Sequence, residues 1–231
     1  RPESIEAALS AHPGRCLVNS VNLEDGGRNL ERICRAARKY GAAVVALTIH
    51  EKGMAMTVEE KLATARRIRD LAVGRYGLRE SDLVFDLLTF TVGSGDASLA
   101  DAAATTLEAV RRVKRELPGV FTSLGVSNVS FGLSPASRRV LNSVFLHEAV
   151  AAGLDMAIID AGKILPLASI PGADREACLV LLYNRPRADG EAPLAAFIRH
   201  FADAAEKEGP AEGKGRTARP PEEELAEKVL D

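Results

Sequence analysis

Paired cysteines, a strong charge imbalance and long apolar runs are all missing from this chain, and each absence excludes a class of protein. Cys16, Cys34 and Cys178 stand alone with no CxxC spacing. That argues against a zinc site or a disulfide framework and for a reducing compartment, the cytoplasm by default. Lys and Arg number 30 against 32 Asp and Glu, a formal net charge of -2. The two signs are interspersed, so no basic face is laid out for nucleic acid, and a small molecule is the expected partner. No segment has the roughly 18 consecutive apolar residues of a membrane span. No GxSxG elbow is present and no Cys and His are paired, so nucleophilic catalysis has no visible carrier. The opening Arg1-Pro2-Glu3-Ser4 is neither a signal peptide nor a natural start, and further sequence is expected upstream.

What is present reads as one large domain: 231 residues, 46% hydrophobic and 27% charged, ordinary for a globular protein. Short apolar runs alternate with amphipathic stretches. The candidate strands are Cys16–Val21, Ala42–Ile49, Leu83–Phe85 running into Asp86, Thr122–Val126 and Met156–Ile159. Each is continuously apolar, as parallel strands covered on both faces are. Between them lie helices with readable ends. Thr57-x-x-Glu60 is a capping box, Ser98-x-x-Asp101 resembles one, Gly41 and Pro118-Gly119 are stops, and Ser134-Pro135 is a start. This order repeats βα about five times, which means a doubly wound sheet or a (β/α)8 barrel.

Polar residues gather at or just past the strand ends: Asn19, Ser20 and Asn22; His50 and Glu51; Asp86; Ser127 and Asn128; Asp160. A barrel keeps its chemistry there. Since a full barrel typically needs about 250 residues and eight strands, five strands imply an incomplete one with three βα units absent. The richest stretch is Gly125-Val126-Ser127-Asn128-Val129-Ser130-Phe131-Gly132, where an apolar run delivers small polar groups and one amide to a strand end. Singly, Asn19, Asp86 and Asn128 would each serve as a cap or turn residue. Together, two amides and one carboxylate suit a flat heterocycle with a donor and acceptor edge. Other motifs read blandly. His50-Glu51-Lys52-Gly53 is neither HExxH, because Met54 intervenes, nor DxHxxG, because Thr48 replaces Asp. His147-Glu148 reads as a helix surface, and Gly93-Ser94-Gly95-Asp96 as a flexible loop rather than a phosphate cradle.

At these residues the chain resembles the pterin-binding methyltransferase family, and within it the folate module of cobalamin-dependent methionine synthases. The matching stretches are Leu17 to Gly26, Tyr40 to Val45, Glu51 to Met54, Asp86 with Leu88-Thr89-Phe90, and Arg115 to Gly119. To these belong GVSNVSFG from Gly125, Asn142 to Leu146 and Gly153 to Ile158, together spanning roughly residues 1 to 205. The resemblance implies a (β/α)8 TIM barrel, here lacking its first three units, that holds 5-methyltetrahydrofolate at its carboxyl-end mouth. It implies that cob(I)alamin is offered by a neighbouring module of the same polypeptide, not bound by this chain, and that zinc belongs to a separate homocysteine module. Asp86 then accepts hydrogen bonds from the aminopyrimidine edge of the pterin, Asn19 binds the same ring system, Arg138 reaches the ligand less directly, and Asn128 is the catalytic residue near N5. No metal ligand is expected in this chain.

Three departures from the family pattern stand out: Leu87 where Pro follows the pterin-binding Asp, His50 in place of an acid, and Asp160 in place of Asn. The missing first strands would bring a glutamate-bearing turn and a further aspartate, so the chain alone is expected to bind folate poorly and to be inactive. Residues 1-208 are expected to form the partial barrel. The stretch 209-221, GPAEGKGRTARPP, reads as a linker, and 222-231 as the opening of a cobalamin-binding cap. The rivals are a dihydropteroate synthase, whose basic signature the acidic Asp155 to Asp160 segment lacks, a stand-alone methyltransferase acting on a corrinoid iron-sulfur protein, and a silent packing barrel.

Overall fold

The computed structural model describes residues 2–208, so the stretches read as a linker and as the start of a further module lie outside the described residues. Helix α1 (Pro2–Ala11) precedes a parallel sheet built from β1 (Leu17–Val21), β2 (Ala43–Leu47), β5 (Leu83–Asp86), β6 (Phe121–Gly125) and β7 (Met156–Ile158) in that spatial order. The short strands β3 (Ile49–His50) and β4 (Gly53–Met54) form a separate antiparallel hairpin. Helices α2 (Arg28–Tyr40), α3 (Val58–Arg69), α4 (Ala102–Glu116) and α5 (Pro135–Ala152) return the chain between strands, and α6 (Gly172–Leu182) and α7 (Pro193–Glu208) follow β7. Neighbours in space are neighbours in sequence, each joined through a helix. That is the connectivity of five staves of a (β/α)8 barrel rather than of a sheet whose strand order reverses.

Local signals explain most element ends. Thr57 and Glu60 make the reciprocal capping box, and Gly41 and Gly153 end α2 and α5 in the left-handed conformation that only glycine adopts without strain. Ser134 accepts the Ser137 amide with Pro135 in the first turn. The reading of Ser98 is corrected: Asp96 caps a short 3-10 turn (Ala97–Leu99), α4 begins only at Ala102, and Asp101 accepts from the Asn184 amide. The apolar run to Ile49 is also divided. Thr48 donates from its backbone and its hydroxyl to the Asp86 carbonyl, at 3.1 and 3.3 Å, and the chain then leaves the sheet for the hairpin.

Val18, Val44, Ala46, Leu83, Phe85 and Leu124 point toward the helices and join one continuous buried core. The opposite, inner face is not covered on both sides as continuously apolar strands lead one to expect. Val45 and Val84 at its centre are buried, while Leu17, Phe121, Met156 and Ile158 are exposed. At the amino end of the last pair of strands, Asp155 accepts from the Thr122 amide at 2.7 Å and from the Lys114 ammonium at 2.9 Å, locking β7 to β6 and α4. No described helix is long and apolar enough to cross a membrane.

Candidate functional site

Register places two of the three singled-out side chains, Asn19 and Asp86, on the inner face. Asn19 pairs with Val45, Val45 with Val84, and Val84 with Phe121; two residues further along, Leu47 pairs with Asp86, and Asp86 with Ser123. Because strand residues alternate faces, Asn19 and Asp86 share the side of the sheet away from the helices, with Asp86 one step nearer the carboxyl end. A register shift follows Asn19, returning Val21 to the core. Asn19 is exposed and lines a cleft of about 520 Å³ with Ile5, Leu9, His12 and Leu17 along the free edge of β1; Asp86 and Asn128 lie outside it.

Asn128 sits in the 3-10 turn Val126–Ser130 that follows β6. A side chain on Gly125, which has the parity of Phe121 and Ser123, would stand 3.1 Å from the Asn128 Nδ2 atom. The amide therefore folds back over the inner face, and glycine at 125 leaves it room. Arg138 is turned toward this turn: its Nε donates to Ser130 Oγ at 3.0 Å, a terminal nitrogen donates to the Ser127 carbonyl at 3.3 Å, and the guanidinium lies 4.9 Å from the Phe131 ring centroid. It braces the turn that carries Asn128. The Gly93 loop does the same from the other side. Val92 donates to the Val129 carbonyl and Thr91 Oγ1 to the Phe131 carbonyl, while Gly93 and Gly132 approach so closely that a side chain on either would meet backbone within 2.8 Å. The loop read as flexible is docked at this point.

Asp86 is held by its own loop. The Leu88 amide donates to its Oδ1 at 2.9 Å, and Leu88 sits at φ 58, a left-handed conformation costly for a leucine. Burial pushes the Asp86 carboxyl above its ordinary value, with the Leu88 amide and the Lys61 charge pulling the other way. Lys61 escaped the sequence reading. It is fully buried, donating to the Leu87 carbonyl at 2.5 Å and the Leu88 carbonyl at 3.2 Å, with the Phe90 ring centroid 5.0 Å away. Burial pulls its ammonium from 10.5 to about 8, opposed by the charges of Asp86 and Glu60. Within α3 the residue looks like one more solvated charge, and nothing in helical spacing marks it.

The remaining candidates stay apart from this cluster. His50 Nδ1 accepts the Lys52 amide, and Glu51 pairs with Arg67, whose guanidinium draws the carboxyl down to about 2. Asp160 pairs with Lys163 at 2.9 Å, and His147 is exposed on α5. Cys34 and Cys178 are buried, their thiols pushed up to about 12 by desolvation. Among the described residues no group of three or more His, Cys, Asp or Glu could hold a metal ion.

Residues 1–160 match the family described as pterin binding enzyme. The chain belongs to this family. The five staves are thus a partial TIM barrel of the pterin-binding type, and Asn19, Asp86 and Asn128 all fall within the matched residues. Similarity to named relatives is substantial. Methionine synthase of Mycobacterium tuberculosis (strain ATCC 25618 / H37Rv) is 46% identical over 200 residues, covering 85% of this chain and 17% of the relative. Methionine synthase of Mycobacterium leprae (strain TN) is 41% identical over 231 residues, covering 98% of this chain and 19% of the relative. The chain spans less than a fifth of the length of these two relatives.

Proposed function

We propose that this chain is the folate-binding part of a cobalamin-dependent methionine synthase, a cytoplasmic methyltransferase, and that it binds 5-methyltetrahydrofolate and presents the N5-methyl group for transfer. One observation carries the reading: Asn19 and Asp86 hold inner-face positions of the sheet, and the Asn128 amide folds back from the turn after β6, in a chain of the pterin-binding family. The names of the relatives support methionine synthesis over dihydropteroate synthesis.

Asp86 accepts hydrogen bonds from the amino-pyrimidine edge, a planar donor pair that a carboxylate matches with both oxygens. Asn19 contributes a second polar group to the same flat ring. Asn128 acts at N5. A tertiary amine is a poor leaving group unless a proton arrives, so transfer requires protonation there, and the Asn128 carbonyl accepts a hydrogen bond from the protonated nitrogen. Unprotonated N5 has no N–H to donate, so this bond is missing in the bound substrate and forms only as the proton arrives, which favours the transition state over the ground state. Arg138 keeps the turn in place rather than touching the ring.

A neighbouring module holding cob(I)alamin would supply the nucleophile that accepts the methyl group. This chain's histidine near the strand ends does not suit cob(I)alamin: Thr48 stands where the DxHxxG pattern has Asp, and His50 Nδ1 already accepts the Lys52 amide. In this reading zinc for homocysteine activation likewise belongs to another module.

The test is single-turnover methyl transfer in the full-length protein. Asn128→Ala should lower the rate on the order of 10² or more while changing folate affinity much less. A rate close to that of the unaltered protein would remove Asn128 from the mechanism.

A further inference from the structure

We propose that Lys61 is a positioning residue for the pterin site: its buried ammonium clamps the Leu87 and Leu88 carbonyls and so fixes the left-handed turn that aims Asp86. The inference rests on the folate reading of Asp86 and goes beyond it by assigning a role to a side chain that no ligand would touch.

A fully buried lysine needs a reason, because an ammonium stripped of water is costly unless its donors are satisfied. Here two of its three donors reach consecutive carbonyls, Leu87 at 2.5 Å and Leu88 at 3.2 Å, and the Phe90 ring face lies 5.0 Å away. Both carbonyls belong to the residues directly after Asp86. Leu88 is the residue whose amide holds Asp86 Oδ1, and it does so from φ 58. A β-strand running straight on would not place that amide beside the carboxylate. An unfavourable leucine conformation persists only where neighbours over-determine it, and the neighbours are visible. Lys61 grips the peptide from within α3, Thr106 Oγ1 donates to the same Leu88 carbonyl at 3.0 Å from α4, and Thr48 holds the Asp86 carbonyl from the end of β2. Three elements converge on one turn, and the only charged member stands close enough to Asp86 to pull on its ionisation.

Two readouts in the full-length protein test this. The first needs no folate: in Lys61→Met, hydrogen exchange of the peptide spanning residues 83–91 should quicken by about tenfold while other strands keep their protection. The second is a double-mutant cycle on 5-methyltetrahydrofolate binding. Lys61→Met should weaken binding by about tenfold alone but by no more than about twofold in an Asp86→Asn background. Should the lysine variant not fold, Thr106→Val removes only the hydroxyl on the Leu88 carbonyl and should give a smaller loss, about threefold, that also vanishes with Asp86→Asn. Unchanged exchange in that peptide, exchange raised equally everywhere, or losses that multiply independently of Asp86 would each overturn the clamp. If Asp86→Asn itself left folate affinity untouched, the folate reading would fall, and the exchange experiment would still decide the role of Lys61.

Discussion

The two faces of the sheet differ sharply. Toward the helices, Val44, Ala46, Leu83, Phe85 and Leu124 are sealed at 0% exposure, whereas on the inner face Leu17 and Ile158 stay 47% and 57% exposed beside Asn19, Asp86 and Ser123. One set of strands carries both, because alternate residues point opposite ways. The sealed face holds the elements together, and the inner face leaves apolar and polar side chains open. The comparison teaches that apolarity along these strands has two origins, a core formed against helices and an interior whose centre alone is filled.

The largest effect expected from breaking the contrast is Phe85→Ala, which empties a fully buried site and should cost about 3–5 kcal/mol in denaturant unfolding. Phe121→Ala, on the inner face and 37% exposed, should cost about 1 kcal/mol. Near-equal losses would erase the distinction between the faces.

A second probe concerns the charge buried behind the inner face. Lys61 is held at about 8 against an ordinary 10.5, so between those pH values the unfolded chain binds more protons than the native one. Stability from this group therefore rises with pH, by up to about 1.4 kcal/mol per unit, as the penalty for a buried ammonium is relieved. Unfolding free energies measured across the window should climb in the unaltered protein relative to Lys61→Met. A constant difference would mean that the lysine is not buried as described.

Gly125→Ala probes the inner face without touching the core. Its new methyl would press on Asn128 Nδ2 from 3.1 Å, and methyl transfer should fall about tenfold through misplacement of the amide, with the melting temperature nearly unchanged. Smallest is the pair of cap variants. Thr57→Ala should cost about 1 kcal/mol, since it removes a complete capping box, and Ser98→Ala within about 0.5 kcal/mol, since Ser98 caps no helix. Equal losses in thermal unfolding would contradict the assigned start of α4.

The sheet was legible because buried parallel strands are short apolar runs: four of the five main-sheet strands lie within one residue of their expected ends. The second run failed at Thr48, an interruption set by a hydrogen bond to Asp86 thirty-eight residues away, which no local pattern contains. Asn19, Asp86 and Asn128 were visible because polar residues interrupt apolar runs at strand ends. Their braces were not. Arg138, read as reaching the ligand less directly, is turned onto Ser127, Ser130 and Phe131 by contacts that no local pattern contains, and Lys61 read as nothing at all.

The order of strands and helices, the helix ends marked by Thr57, Gly41 and Ser134, and the residue types offered at strand ends were determined by the sequence alone, because period, capping and turn chemistry act over a few neighbouring residues. Only the tertiary structure decided which face each strand residue occupies and that Lys61 is buried. It alone decided that the Asp86 turn is gripped by three separate elements, because those outcomes depend on packing between segments that the chain brings together only when folded.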